Sequence, residues 1–274
     1  MASAAYRAGE MNRILWSLPV PILMTSGTMA VGNNFSRFKA EMFLDACDRL
    51  AESVSSSPFN YDRNCIIYIP HYVPTFKKEN SADYYEDISY DISELISVSN
   101  GHALVLFNSY SAMSAISEQL KDYNIAQPIF VLNRNNPHTL EEFKNSGNGI
   151  LLATGAAWEG MDFPGDIVSM LIIPRLPFPI PDAFSEHERK KYNSLKEFIE
   201  AVALPDMQIK LRQGIGRAIR LETDTCVIAI LDDRAQRQRS YHNAVKQALP
   251  TMPMTGNIEK LEKFYHSVKT NEYF

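Results

Sequence analysis

The chain contains no GxxxxGK[ST] phosphate loop, no GxGxxG fingerprint, no GxSxG elbow and no HExxH pair. None of the common self-contained nucleotide, hydrolase or metalloprotease sites therefore forms from a local motif, and a self-sufficient ATPase is not expected. Cysteine is scarce. Cys47, Cys65 and Cys226 stand far apart, odd in number and without a CxxC pair, which argues against a disulfide framework and against a zinc or iron–sulfur site, and fits a cytoplasmic, reducing location. No stretch approaches the ~20 apolar residues that span a bilayer. The one run resembling a signal h-region, residues 14–24, is short and broken by Pro19 and Pro21, so no membrane partner is expected. An excess of positive charge is also missing: the net charge is −5, so any polyanion must be held by a local patch and not by the overall field. The six histidines are scattered and read as structural or surface residues. No metal site is expected.

What is present is a large apolar fraction. With 274 residues, 45% of them hydrophobic, the chain can bury the core of one large or two modest domains. Short β-branched runs at 22–25, 65–69, 103–107, 129–132, 150–153, 167–173 and 227–231 alternate with helix-like stretches at 35–47, 84–98, 111–120, 139–144, 186–202, 205–221 and 235–249, and a final helix is expected over 258–268. Alternation of this kind predicts an α/β fold with a mainly parallel sheet. Strands such as ALVLF, apolar on both faces, predict helices on both sides of it.

The richest segment is Gln213-Gly214-Ile215-Gly216-Arg217-Ala218-Ile219-Arg220. At about 100° per residue, Leu211, Ile215, Ala218 and Ile219 share one helix face, while Gln213, Arg217 and Arg220 share the other. Glycine inside a helix costs on the order of 1 kcal/mol relative to alanine, so Gly214 and Gly216 point to close approach of another backbone or a ligand. Guanidinium groups match phosphate oxygens and stabilise phosphoryl transfer as arginine fingers. A solvated basic helix face is the alternative.

Three further segments follow expected strands. Thr25-Ser26-Gly27-Thr28 would present hydroxyls at the carboxyl edge of a sheet, where α/β proteins bind ligands, or form an ordinary capped turn. Phe107-Asn108-Ser109-Tyr110 takes the same position after ALVLF, with Ser109 donating to a phosphate, capping the next helix, or both. Residues 154–165, TGAAWEGMDFPG, gather glycines, Trp158, Glu159 and Asp162. The two carboxylates would order a cation, a ribose hydroxyl or an arginine, or be solvated acids of a glycine-rich turn. An acid/base hydrolase pair lacks the environment-tuned partner that such chemistry needs.

Taken in order, TSGTM, SPFNY, ALVLFNSY, TGAAWEGMDFPGD, LPFPIPD and QGIGRAIR resemble the carboxyl-terminal motifs of the DinG and XPD family of DNA helicases, over about residues 18–249. The resemblance implies a RecA-like, P-loop NTPase-type fold. It divides the chain into residues 1–30, the end of a first RecA-like domain carrying TSGTM, and residues 31–274, the second RecA-like domain. It implies Arg217 and Arg220 as fingers on the γ-phosphate, with Gln213 orienting them. Glu159, Gly160, Asp162 and Gly216 then link nucleotide to DNA, and Thr25, Ser26, Thr28, Ser109 and Tyr110 face single-stranded DNA. Trp158 is a candidate for base stacking, with core packing as its alternative. ATP and Mg2+ would be held mainly by an N-terminal RecA-like domain, supplied in cis or in trans, because that domain carries the family's phosphate loop, its acidic magnesium-binding box and, where present, its iron–sulfur cluster. Ala156 and Ala157 depart from the pattern, standing where the family often has a bulky residue. The other function class is a non-catalytic module that keeps the helicase shape and binds nucleic acid or protein.

Overall fold

The computed structural model describes residues 9–10, 13–45, 47–55, 57–133, 136, 138–158, 160–163, 165–217, 219 and 221–274. The chain forms two compact units: a helical unit, Met1–Ser57 with Pro179–Ile209, and a sheet unit, Pro58–Phe178 with Lys210–Phe274. The division expected at residue 30 does not coincide with this one.

The sheet unit is built on seven parallel strands: β1 (Cys65–Tyr68), β2 (Ala103–Phe107), β3 (Ile129–Val131), β4 (Ile150–Thr154), β5 (Met170–Ile173), β6 (Cys226–Ile230) and β7 (Met254–Thr255). Their order is β3-β4-β2-β5-β6-β1-β7. β1, β2, β4, β5 and β6 are buried along their whole length, which is why their sequences are apolar at every position and not alternating. Successive side chains still point to opposite faces. Val105, Leu152, Ile172 and Ala229 meet Ile88, Ile92 and Leu95 of the helix Ser81–Val98, Ile116 of the helix Tyr110–Gln119 and Tyr265 of the helix Glu259–Val268. Leu106 points to the other face, where Gly214 of the helix Leu204–Ile215 approaches it. Both faces are covered, as an α/β sheet requires.

The expected helix over 235–249 is a short 3-10 turn, Asp233–Ala235, followed by the helix His242–Ala248. The expected helix over 205–221 ends at Ile215, and the amide of Arg217 closes a tighter turn on the Gly214 carbonyl. In β1 and β6, Cys65 and Cys226 lie in register. Both thiols are free, and burial pushes that of Cys65 up to about 12, so it stays protonated and inert.

In the helical unit, the apolar run 22–25 is not a strand. Residues 21–26 carry no sheet pairing, and Leu23 is 90% exposed. The expected helix over 35–47 is confined to Ser36–Glu41, and that over 186–202 resolves into Ala183–Arg189, Leu195–Phe198 and a π-helical turn, Ile199–Ala203. Asp182, the last residue of LPFPIPD, caps the helix Ala183–Arg189 in a reciprocal box with Ser185. Arg37 ties the segments together, with a two-point contact on Asp206 (2.9 and 3.1 Å) and a third bond to Glu188 at 3.0 Å. No helix among the described residues is long and apolar enough to cross a membrane.

Candidate functional site

In a parallel sheet every strand ends on the same edge, so the segments that follow β2 and β4 are neighbours because those strands pair, Phe107 opposite Thr154. The carbonyl of Phe107 accepts two hydrogen bonds at 2.9 Å, from Thr154 Oγ1 and from Trp158 Nε1. This buried carbonyl anchors the start of the glycine-rich loop after β4. Its two lone pairs take two donors, which satisfies it completely.

Ser109 is the N-cap of the helix Tyr110–Gln119, its Oγ accepting from the amide of Ala112 at 3.2 Å. The capping role is thus realised, and the side chain stays near the surface. Tyr110 is exposed, and its hydroxyl stands close to Gly155. Asn108 reaches across to the loop after β5, donating from Nδ2 to the carbonyls of Leu176 (2.8 Å) and Arg175 (3.2 Å). Its Oδ1 is buried without a partner. The sequence places this residue between the strand and the cap but carries no sign of its role.

Of the two readings of Trp158, core packing is the one realised. The side chain is fully buried, with the indole N–H donated inward, so it offers no face to a base. Its partner is Gly214: a Cβ there would stand 2.8 Å from Trp158 Cζ3 and 3.3 Å from Leu106 Cδ1. The close approach expected at Gly214 is therefore real, but it is made by an aromatic side chain and not by a backbone or a ligand. At Gly216 the same test meets only local carbonyls at ordinary distance. Lys210, also absent from the sequence reading, holds its ammonium 5.4 Å from the Trp158 ring, a cation–π contact.

Gly160 has φ +82° with open space around its Cα, so its backbone conformation, not crowding, demands glycine. Asp162 is exposed beside it. Arg217 is half-buried and donates from Nη1 to the Met161 carbonyl at 2.9 Å and from Nε to the Gln213 carbonyl at 3.2 Å. Ser109, Tyr110, Gly160, Asp162, Gln213, Gly216 and Arg217 all belong to the sheet unit. Glu159 and Arg220 lie outside the described residues. The shared stripe expected for Gln213, Arg217 and Arg220 does not rest on a continuous helix, because that helix stops at Ile215.

Thr25, Ser26 and Thr28 belong to the helical unit. They do not follow a paired strand. The Thr28 amide and Oγ1 both lie 3.2 Å from Ser26 Oγ, a local hydroxyl-closed turn. Among the described residues, no group of three or more His, Cys, Asp or Glu is placed to hold a metal ion.

Comparison with known proteins bears on the whole assembly. The helicase C-terminal domain model matches residues 92–252, which runs from the helix before β2 to just before β7. The ATP-dependent DNA helicase YoaA of Haemophilus influenzae is 29% identical over 88% of this chain and 37% of its own length. DinG of Bacillus subtilis, named a 3'-5' exonuclease, is 33% identical over 84% of this chain and 25% of its own. DinG of Mycobacterium tuberculosis, named an ATP-dependent helicase, is 29% identical over 87% and 36%. The chain thus spans well under half the length of these curated relatives. Among solved structures, an XPD helicase superposes with a TM-score of 0.54 at 20% identity, over 70% of this chain and 36% of that one. Dbp5 of S. cerevisiae bound to RNA and ADP BeF3 gives the same score at 16% identity, over 94% and 58%. These likenesses establish a RecA-like helicase fold. With the family model covering more than half of the sequence, the chain belongs to the helicase C-terminal domains of the DinG and XPD family.

Proposed function

We propose that this chain is the second motor half of an ATP-dependent DNA helicase, supplying arginine fingers to a nucleotide held by a first RecA-like domain and part of the track for single-stranded DNA. The observation that carries this reading is the convergence of the post-β2 loop, the post-β4 loop and Gln213–Arg217 in one unit. A guanidinium, a side-chain amide, hydroxyls and a cap-forming helix N-terminus suit phosphate oxygens. Arg217 and Arg220 take the finger role and Gln213 orients them. Glu159, Gly160, Asp162 and Gly216 couple nucleotide to DNA, while Ser109, Tyr110, Thr25, Ser26 and Thr28 contact the DNA backbone in a sequence-independent way. ATP with Mg2+ sits mainly on the partner domain, since the chain contains no GxxxxGK[ST] segment. The exposed apolar side chains of residues 14–23 are a surface of the kind that another domain covers.

The decisive experiment measures ATP hydrolysis by the chain with and without a supplied phosphate-loop domain, in the presence of single-stranded DNA. Hydrolysis is expected only in combination, and Arg217→Ala or Arg220→Ala is expected to lower it by about 10³-fold or more. Complemented hydrolysis indifferent to both substitutions would overturn the finger assignment. Salt-sensitive DNA binding with no hydrolysis in any combination would favour a non-catalytic binding module.

A further inference from the structure

Two contacts, independent in chemistry, join residues 155–163 to the end of the helix Leu204–Ile215. One is apolar: Gly214 lies against the six-membered ring of Trp158 so closely that a Cβ would stand 2.8 and 3.0 Å from its carbons. The other is polar: Arg217 Nη1 donates to the Met161 carbonyl at 2.9 Å. Lys210 adds a third approach, above the Trp158 ring. Lys210 and Gly214, four residues apart, share one side of the helix Leu204–Ile215, and Arg217, in the tighter turn that follows it, adds the contact to Met161.

Each segment is otherwise fixed at its far end. Trp158 is pinned to the Phe107 carbonyl of β2, while Arg217 is braced on its own Gln213 carbonyl. Between these anchors lie Gly160, with its left-handed backbone, and the exposed Asp162. The loop is held at its ends by the buried Trp158 and by the buried Phe163, which packs edge-on against Phe143 at 5.7 Å, and between them Arg217 holds the Met161 carbonyl. We infer that Arg217 is a positioning residue for this loop: by holding the Met161 carbonyl while Gly214 seats Trp158, it makes the loop and the helix end one mechanical body and sets Asp162 relative to Gln213. The inference deepens the proposed function, since it assigns to one proposed finger a second task, yet it concerns the chain alone and is testable without nucleotide.

The chain has two tryptophans, Trp16 and Trp158, so Trp16→Phe leaves Trp158 as the sole tryptophan, excited apart from the tyrosines at the red edge of the absorption band. In that background, acrylamide quenching of Trp158 and hydrogen exchange of the amides in 156–163 are compared for Arg217, Arg217→Lys and Arg217→Ala. The expected result is a graded loosening: at least a twofold rise in quenching and about tenfold faster loop exchange in Arg217→Ala, partly rescued in Arg217→Lys, with exchange in β2 and β4 unchanged. Quenching and loop exchange equal to the parent in both variants would overturn the inference. If Arg217→Ala fails to fold, Arg217→Lys against the parent decides it by the same two readouts. Failure of the proposed function would appear elsewhere, as absence of complemented ATP hydrolysis, with these signals intact.

Discussion

The two units solve the burial problem differently. In the sheet unit, the strands form a continuous apolar slab closed on both faces, and β2, β4, β5 and β6 are almost completely removed from water. In the helical unit, few side chains reach that state, Leu44, Val202 and Met207 among them, while Ile14, Val20, Leu23, Phe43, Ile180 and Phe184 remain exposed. Similar apolar runs thus end in opposite environments. The sequence ILMT at 22–25, with three apolar residues in four, stays unpaired, whereas ALVLF at 103–107 pairs with a strand on each side and is buried throughout. The lesson is that an apolar β-branched run earns a place in a core only when neighbouring strands supply the backbone partners its amides need.

Substitutions that remove sheet-unit contacts therefore sharpen the contrast most. Trp158→Ala removes a fully buried indole and its hydrogen bond, and a loss of about 3–5 kcal/mol is expected, read as the urea midpoint of the sheet unit. An unchanged midpoint would mean that the loop is only loosely attached to the slab.

The pair of the buried Asp232 with the half-buried Arg234 comes next. Asp232 accepts from the Leu176 amide at 2.8 Å and from Arg234 at 2.6 and 2.9 Å. Burial pushes its carboxyl up, but the Arg234 guanidinium and the Leu176 amide outweigh that and hold it below the usual range. Arg234→Ala leaves an uncompensated buried carboxylate and is expected to cost on the order of 3 kcal/mol. Because the folded value is depressed, the Asp232 contribution is complete above about pH 4, the unfolded carboxylate value, and is lost as pH falls through the lower folded value. Acid denaturation of the parent and of Arg234→Ala, followed by circular dichroism, checks both statements.

Asp91 runs the other way. Burial, then the neighbouring Asp87 and Glu94, raise its carboxyl to about 6. A raised carboxyl opposes folding once ionised, so stability from this group rises as pH is lowered from about 6 toward about 4. Asp91→Asn is expected to stabilise the chain at pH 7 by about 1 kcal/mol after allowing for solvent screening, and to flatten the pH dependence of Tm in that window. An Asn variant no more stable than the parent at pH 7 would place the charge in better solvation than the geometry implies.

The smallest effect belongs to the helical unit. Leu23→Ser removes a side chain already in water and is expected to move Tm by less than the equivalent of about 0.5 kcal/mol. A large loss would show that the run at 22–25 is buried in solution. A loss of affinity for a supplied first domain, with Tm unchanged, would instead support the covered-surface reading.

Within the site, chemistry was legible where local sequence carries it. Ser109 was recognisable as a cap because it stands between a strand and a helix start, and Gly214 as a point of close approach because an interior helical glycine is costly. The identity of what approaches was not legible, because Trp158 and Gly214 are far apart in the chain and meet only when β2 and β4 bring the loop over the helix end. Asn108 and Lys210 were invisible for the same reason. The octapeptide misled as to helix length because its periodicity continues past Ile215, whereas the backbone there tightens into a turn closed by the Arg217 amide on the Gly214 carbonyl, with the Arg217 guanidinium reaching Met161 outside its own segment.

By itself the sequence determined the alternation of strands and helices, the burial of both sheet faces and, through six ordered motifs, the helicase family, since each depends on residue type and short spacing. Tertiary structure alone decided the strand order, the inward turn of Trp158, the division into two units and the unpaired state of residues 21–26. Those depend on which distant backbone and side-chain groups meet, and hydrophobic periodicity carries no information about partners.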